Sequence, residues 1–169
     1  MNTIFNKLTT KRPLIDFFLA VSFLTRIPIP NVLKFENELM SAAWSFSLIG
    51  ALLGFLCGSI AWVLLYLNIP IGIVAFLTVG SMILLTGGLH EDGLADMADG
   101  VGGGKSADEK IAIMRDSQIG TYGALSLIFM LGMKVTAIDI ILNNDTILVC
   151  MISLVISGAL SRLSMVTVA

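Results

Sequence analysis

The segment AAWSFSLIGALLGFLCGSIAWVLLYLN, residues 42–68, runs for 27 residues without a charged side chain. The segment that follows, IPIGIVAFLTVGSMILLTGGL, residues 69–89, adds 21 more. About 20 apolar residues suffice to cross the hydrocarbon core of a bilayer as a helix. Asn68 and Pro70 leave room only for a tight turn. The two segments therefore predict a transmembrane helical hairpin.

The whole chain has the composition of a membrane protein. Of its 169 residues, 56% are apolar and 13% are charged, whereas soluble domains average about 45–50% and about 25%. A backbone in lipid must satisfy its own hydrogen bonds, and no strand-like alternation appears. We therefore predict an all-α fold, a polytopic integral membrane helical bundle that forms a single domain over residues 1–169. Two further membrane helices are predicted at residues 119–142 and 146–169.

The first apolar segment, residues 14–27, is short for a span and is interrupted by Asp16 and Arg26 before it reaches Pro28. These features predict an interfacial or re-entrant helix. A cleaved signal peptide is disfavoured, because no small-residue cleavage site follows the apolar core.

Basic residues indicate the orientation of the chain. They precede the first apolar segment and recur between residues 90 and 118, while the turns near Asn68 and at residues 143–145 have none. The positive-inside rule therefore predicts that the N-terminus and the 90–118 loop are cytoplasmic. The basic residues concerned are Lys7, Lys11, Arg12, Lys105, Lys110 and Arg115.

Composition also excludes several partners. The 10 basic and 12 acidic residues give a net charge of −2, and no basic cluster could follow a nucleic-acid backbone. Cys57 and Cys150 lie in apolar runs without metal-ligand spacing, so they predict buried hydrophobic positions. Membrane lipid is the predicted surrounding. The sequence leaves open whether copies of the chain form a homo-oligomer.

Small residues recur every four positions in the first long span, at Gly50, Gly54 and Gly58. This spacing lets two membrane helices approach each other closely. We expect this face to pack against another helix.

Acidic residues concentrate in the 90–118 loop, the polar segment of the chain, which holds seven of the twelve. If the preceding helix continues, Asp92, Asp96 and Asp99 lie at i, i+4 and i+7 on one face. Their mutual repulsion would be offset by Mg²⁺, which binds through a few carboxylates and bridges to substrate phosphates. An ordinary solvated acidic face is the alternative, but the small residues between the carboxylates favour a ligand. The seven residues are Glu91, Asp92, Asp96, Asp99, Asp108, Glu109 and Asp116.

A glycine run, GVGGGK, spans residues 100–105. We interpret it as a flexible loop whose backbone amides cradle phosphate, with Lys105 as a point charge. It is not a nucleotide P-loop, since Asp99 stands where that pattern requires glycine and no strand precedes it. The predicted phosphate-binding glycines are Gly100, Gly102, Gly103 and Gly104.

Two polar groups flank this run. Ser106 and Glu109 form a capping-box pattern, which predicts a short helix from about Ala107 to about Arg115 and a structural role for the cap. Arg115, Asp116 and Ser117 place a cation, a carboxylate and a hydroxyl together, a combination that could hold a diphosphate and its metal. A salt bridge that ends a helix is the alternative.

His90 is the only histidine, at the point where the apolar segment meets the acidic residues. It could act as a base, orient a carboxylate or bind phosphate, or it could simply be satisfied at a helix end.

The residues HEDGLADMADG (90–100), the GVGGG that ends at Gly104, and IMRDSQIGTYG (113–123) closely resemble the cobalamin synthase family, the adenosylcobinamide-GDP ribazoletransferases. FLTRIP, residues 23–28, is similar to the opening motif of that family. Gln118 stands where many members have a basic residue, and members continue with further membrane helices after the position of Ala169.

The resemblance implies an enzyme of cobalamin biosynthesis in a bacterial or archaeal cell membrane, the inner one where there are two. Such a transferase joins adenosylcobinamide-GDP and α-ribazole, or its 5′-phosphate, and releases GMP. Phosphoryl transfer mainly needs positioning and charge neutralisation. The implied base is a carboxylate or His90, and Lys105 and Arg115 would stabilise the leaving GMP. The implied Mg²⁺ ligands are Glu91, Asp92, Asp96, Asp99 and Asp116.

Three other classes of protein share some of these sequence features. CDP-alcohol phosphotransferases also place aspartates and glycines at a membrane face, but the sequence Gly93 to Asp96 lacks the arginine of their signature. A transporter would bury carboxylates within its spans, which here hold only Lys134, Asp139 and Arg162. A scaffold subunit would not require such a density of acid and glycine.

Overall fold

The computed structural model describes residues 2–29 and 39–168, with side chains at 13–29 and 39–166. Within these ranges every regular element is helical and no strand is present, so the predicted all-α fold is confirmed. A 3₁₀ helix, Leu39–Ser45, precedes the second α-helix. The α-helices are α1 Asn2–Leu24, α2 Phe46–Tyr66, α3 Ile71–Thr86, α4 Leu89–Gly103, α5 Ala107–Met114, α6 Thr121–Asn144 and α7 Ile147–Val168.

Three helical stretches of the described chain are long and apolar enough to span a membrane. They are Leu39–Tyr66, Thr121–Asn144 and Ile147–Val166. The pair α3 and α4 would add a fourth if it counts as one broken span. The turn between α2 and α3 places Asn68 at φ 59°, a left-handed conformation that asparagine tolerates better than most residues.

The N-terminal helix differs from its predicted limits of residues 14–27. It includes Pro13 and ends at Leu24. Residues 25–29 carry no helix, because a residue that precedes proline, as Ile27 precedes Pro28, is disfavoured in the α region. Its predicted interfacial or re-entrant placement stays a prediction.

Helices α2 and α7 form the tightest pair in the bundle. The Cα atoms of Gly50 and Gly54 lie against the backbone carbonyls of Gly158 and Leu154, so a β-carbon at either glycine would collide with the backbone of α7. This confirms the close approach predicted from the glycine spacing. Cys57 and Cys150 are buried, as predicted, and both are free thiols.

Large apolar side chains remain exposed on the outer surface of the bundle. Phe76, Leu84 and Phe129 are exposed by 66%, 78% and 69% of their area. So many large exposed apolar side chains are suited to lipid rather than to water.

Candidate active site

The polar segment begins at a sharp bend between α3 and α4. Gly87 and Gly88 have φ values of 68° and 72°, a left-handed conformation that glycine adopts without strain. The two helices meet at 91°. The prediction that the preceding helix continues through the acidic residues was therefore wrong, because the glycine pair ends α3 at Thr86 and redirects the chain.

Helix α4 runs antiparallel along the first half of α6. Near its start, Glu91 Oε1 accepts a hydrogen bond from Lys134 Nζ at 3.1 Å. Towards its end, Asp99 is bonded to the amides of Gly120 and Gly123. The charge of Lys134 within the α6 span thus has a partner in the polar segment.

Asp99 is the most deeply buried of the three aspartates on α4, at 6% exposure. Its Oδ2 accepts from Gly120 N at 2.7 Å and its Oδ1 accepts from Gly123 N at 2.8 Å. These amides belong to the N-cap residue and the first turn of α6, whose N–H groups have no partner within the helix. Asp99 therefore holds the N-terminus of α6. Its predicted part in metal binding stays a prediction.

The other two aspartates open into a cavity of about 340 Å³ between α4, α5 and the start of α6. Asp92 is exposed and Asp96 is half-buried. Neither carboxylate makes a hydrogen bond or ion pair through its side chain with any described residue. The polar lining of this cavity, which we call the carboxylate pocket, consists of Asp92, Asp96, Arg115, Asp116, Ser117 and Gln118.

The side chains on the α5 side complete the carboxylate pocket. Asp116 Oδ1 accepts a hydrogen bond from Gln118 N at 3.1 Å, which shapes the turn before α6. Arg115 is exposed, and its side chain has no partner in the described part of the chain. Two open carboxylates, a third on the facing turn and one cation therefore line a single cavity.

The five predicted magnesium ligands do not form one cluster. Among the side chains that the structure describes, no three of His, Cys, Asp or Glu converge closely enough to hold a metal ion by themselves. Mg²⁺, however, usually takes one or two protein carboxylates and completes its shell with water and substrate phosphates. Asp92 and Asp96, one helical turn apart, offer such a donor set, with Asp116 opposite. The chemistry of the pocket fits the ion, and magnesium binding stays a prediction.

The glycine run is helical through Gly103, so the interpretation of residues 100–105 as a flexible loop was wrong. Gly104 N donates to Gly100 O at 3.1 Å within the same turn. The missing side chains serve packing instead: a β-carbon at Gly100 would meet Met114, and one at Gly102 would lie 2.6 Å from the Tyr122 ring. The predicted phosphate cradle of Gly100, Gly102, Gly103 and Gly104 gains no support from this geometry.

The capping box is confirmed at the start of α5. Glu109 N donates to Ser106 Oγ at 3.2 Å, and Glu109 Oε2 accepts from the amides of Ser106 and Lys105 at 3.4 and 2.8 Å. The Lys105 side chain is exposed outside the pocket lining. Its predicted contact with a leaving group therefore gains no support from its position.

His90 does not line the carboxylate pocket. It lies two positions before Asp92, about 200° around the helix. Its Nε2 atom is buried and has no hydrogen-bond partner among the described residues. The catalytic role predicted for His90 stays a prediction. The ion pair between Lys134 and Glu91 was not predicted from the sequence, because only the tertiary fold brings positions 91 and 134 together.

The chain is a polytopic helical membrane protein. Its open carboxylates and the free arginine meet in one pocket of an otherwise apolar chain. Residues 16–169 match the cobalamin-5-phosphate synthase family, and the chain belongs to that family. This confirms the predicted resemblance and leaves the CDP-alcohol phosphotransferase, transporter and scaffold interpretations without support.

The relatives carry a consistent name. A protein of Vibrio cholerae serotype O1 named adenosylcobinamide-GDP ribazoletransferase is 51% identical over 119 residues, which is 68% of this chain and 44% of the relative. A protein of the same name from Rhizobium johnstonii is 39% identical over 150 residues, 88% of this chain and 58% of the relative. The chain thus spans about half the length of the curated relatives it matches. No solved structure matches the chain.

Proposed function

We propose that this chain carries the site at which adenosylcobinamide-GDP and α-ribazole, or its 5′-phosphate, are joined to give adenosylcobalamin, or its 5′-phosphate, and GMP. Family membership and the names of the relatives support the reaction. The observation that carries the proposal is the carboxylate pocket, in which Asp92, Asp96 and Asp116 face the free cation of Arg115. A diphosphate substrate needs this combination of metal-binding oxygens and a positive charge.

The reaction is a phosphoryl transfer. A ribose hydroxyl of α-ribazole attacks the phosphorus that bears the cobinamide group, a new P–O bond forms, and the P–O bond to GMP breaks. GMP leaves with the electron pair of that bond, and the hydroxyl proton passes to a base. Asp92 or Asp96 would take this proton, because both carboxylates line the cavity and have no other side-chain partner among the described residues.

The charged residues of the pocket have proposed roles in this step. Asp92 and Asp96 would hold Mg²⁺, and Asp116 would add a carboxylate from the facing turn. The ion, when bound, neutralises charge on the phosphate oxygens. Arg115 stabilises the negative charge that develops on the leaving GMP. Asp99 and the Glu91–Lys134 pair keep α4 fixed against α6, so the open carboxylates stay in position.

The test is an assay of membranes that contain this chain, with adenosylcobinamide-GDP, α-ribazole and Mg²⁺, and with EDTA as the control. Chromatography follows GMP and cobalamin, and the Vibrio cholerae relative provides a positive control for the assay. The proposal predicts both products in equal amounts, with loss of both under EDTA. If the relative gave both products and this chain gave neither, the proposed function would be contradicted.

We further propose that α4 and α5 face the cytoplasm, at the inner membrane where a cell has two. Basic residues on this side of the spans support the orientation. The test uses single cysteines at two exposed positions, Ala107→Cys on α5 and Asp145→Cys between α6 and α7, since Cys57 and Cys150 are buried. A membrane-impermeant maleimide should label position 107 only in inside-out vesicles and position 145 only in right-side-out vesicles. The reverse pattern would overturn the orientation.

A further inference from the structure

A second polar cavity lies on the other side of Asp92. It has a volume of about 600 Å³ and is formed by the end of α1, the residues that follow it, and the bend between α3 and α4. Its lining includes Arg26, Thr86, Gly87, Gly88 and Asp92. Asp92 also lines the carboxylate pocket, so one carboxylate borders both cavities.

The backbone holds Arg26 firmly at this position. Arg26 N donates to Leu85 O at 2.8 Å, which ties the segment after α1 to the last turn of α3. The preceding residue, Thr25, is buried, and its Oγ1 donates to Val21 O at 2.7 Å and accepts from Ile27 N at 3.2 Å. The position of Arg26 is therefore fixed by three hydrogen bonds rather than left to a loose loop.

The side chain of Arg26 lies directly over the glycine bend. A β-carbon at Gly87 would meet Arg26 Nε, and it would lie 2.6 Å from Cγ and 2.9 Å from Cδ. The absence of a side chain at Gly87 thus makes room for the arginine stem. Gly87 serves two purposes, the left-handed turn and the passage of Arg26 across it.

The Arg26 guanidinium has no charged partner in the part of the chain that the structure describes. The single ion pair found there joins Lys134 to Glu91, and Arg26 makes no side-chain hydrogen bond. Arginine presents a planar fork of donors that matches the oxygens of a phosphate. Arg26 is exposed, and its unpaired guanidinium lines a polar cavity next to the Asp92 carboxylate, on a backbone that hydrogen bonds hold in place. It is therefore suited to a phosphate that reaches past Asp92.

We propose that Arg26 binds a phosphate of the guanosine diphosphate part of the substrate, so that the diphosphate lies across Asp92 with Arg26 on one side and Arg115 on the other. This inference rests on the proposed function, and it gives the N-terminal segment a direct part in substrate binding. Since α-ribazole contributes a hydroxyl and no diphosphate, Arg26 acts on only one of the two substrates.

The test compares Arg26→Gln and Arg26→Lys with Lys110→Gln, a change of the same charge on α5 outside both cavities. Equilibrium binding of radiolabelled GDP in the presence of Mg²⁺ is measured first, on the purified chain in detergent. The KM values for adenosylcobinamide-GDP and for α-ribazole are then measured separately. Thermal unfolding of each variant shows whether it is folded.

We expect Arg26→Gln to weaken GDP binding and to raise the KM for adenosylcobinamide-GDP, each by about tenfold or more, as for loss of one charged hydrogen-bonding group. The KM for α-ribazole should stay within about twofold. Arg26→Lys should recover part of the loss, because it keeps the charge without the fork. Lys110→Gln should match the unsubstituted chain.

Two outcomes separate this inference from the proposed function. If the unsubstituted chain binds GDP and turns over, but folded Arg26→Gln behaves the same, the role of Arg26 is refuted and the proposed function stands. If Arg26→Gln raises both KM values equally, the residue is structural and the inference fails. Absence of GDP binding and of turnover in the unsubstituted chain would instead refute the proposed function itself.

Discussion

The two halves of α4 carry the same kind of residue and use it in opposite ways. In the second half, Asp99 is buried and both of its oxygens accept amide hydrogen bonds from the start of α6. In the first half, Asp92 and Asp96 sit on the same helical face with open carboxylates. The difference shows that position on a helical face does not define a carboxylate's role, since the groups opposite it decide whether it stabilises the fold or remains free for a ligand.

The largest expected effect is on turnover, from a change in the open half. Asp96→Ala should lower the rate of GMP release by about 1000-fold, the loss typical of removing a main electrostatic group from an active site. Membrane insertion and thermal stability should be unchanged, because the carboxylate supports no other described residue. Asp108→Ala, an exposed acid on α5 outside the pocket, is the matched control. If Asp96→Ala kept its activity, Asp96 could not be the proposed metal ligand.

The second prediction concerns stability and the closed half. Asp99→Ala leaves two amides at the start of α6 without acceptors, so the free energy of unfolding should fall by about 3 kcal/mol, at about 1–3 kcal/mol for each buried unsatisfied group. Thermal unfolding in detergent measures the change. Asp99→Asn should lose less, because one amide oxygen remains as an acceptor. If Asp99→Ala were as stable as the parent and lost activity as Asp96→Ala does, the proposed difference between the two halves of α4 would be contradicted.

A third prediction compares Gly123 of α6, which faces Asp99 in the closed half of α4, with Gly93 in the open half of α4. A β-carbon at Gly123 would collide with Asp99 Oδ2 and lie 3.0 Å from Ala95 O, whereas one at Gly93 would meet nothing within 4 Å. Gly123→Ala should therefore destabilise the protein by about 1–3 kcal/mol through overpacking. Gly93→Ala should be neutral or stabilising by up to about 1 kcal/mol, from helix propensity. Equal melting temperatures for the two variants would show that α4 does not pack as tightly on α6 as described.

The smallest expected effect is at the Glu91–Lys134 pair. Lys134 is 40% exposed and Glu91 is 12% exposed, so their coupling should be about 1 kcal/mol or less. A double-mutant cycle with Glu91→Gln and Lys134→Met, followed by thermal unfolding, isolates this coupling. A coupling of several kcal/mol would mean that the pair, rather than Asp99, is the main connection between α4 and α6.

The sequence was sufficient to predict three helices that are long and apolar enough to span a membrane, and some local features. Residues 69–89 were predicted as a further span, but α3 is shorter and reaches that length only together with α4. Long uncharged segments predict spans because the bilayer sets their length, and residues 42–68 contain α2 as expected. The capping box of Ser106 and Glu109 depends only on neighbouring residues, so it too was predictable. The α2–α7 contact was partly predictable, since the glycine spacing marks a packing face without naming its partner.

Long-range relations could not be predicted in the same way. The helical state of residues 100–103 depends on packing against Met114 and Tyr122, which overrides the low helix propensity of glycine. The bond between Asp99 and Gly123 joins positions 24 residues apart, and Arg26 meets the α3–α4 bend across about 60 residues. The pair Gly87–Gly88 is a local signal from which the break in the helix could have been predicted. In the structure, this signal outweighs the uncharged run around it.

Binding of Mn²⁺, as a spectroscopic substitute for Mg²⁺, in the presence of GDP would test the proposed metal site on α4 directly. Electron paramagnetic resonance counts the bound ions in the unsubstituted chain, in Asp96→Asn and in Asp108→Asn. We expect one GDP-dependent ion per chain, retained in Asp108→Asn and lost in Asp96→Asn. Equal binding by Asp96→Asn and the unsubstituted chain would contradict the claim that the open half of α4 holds the metal.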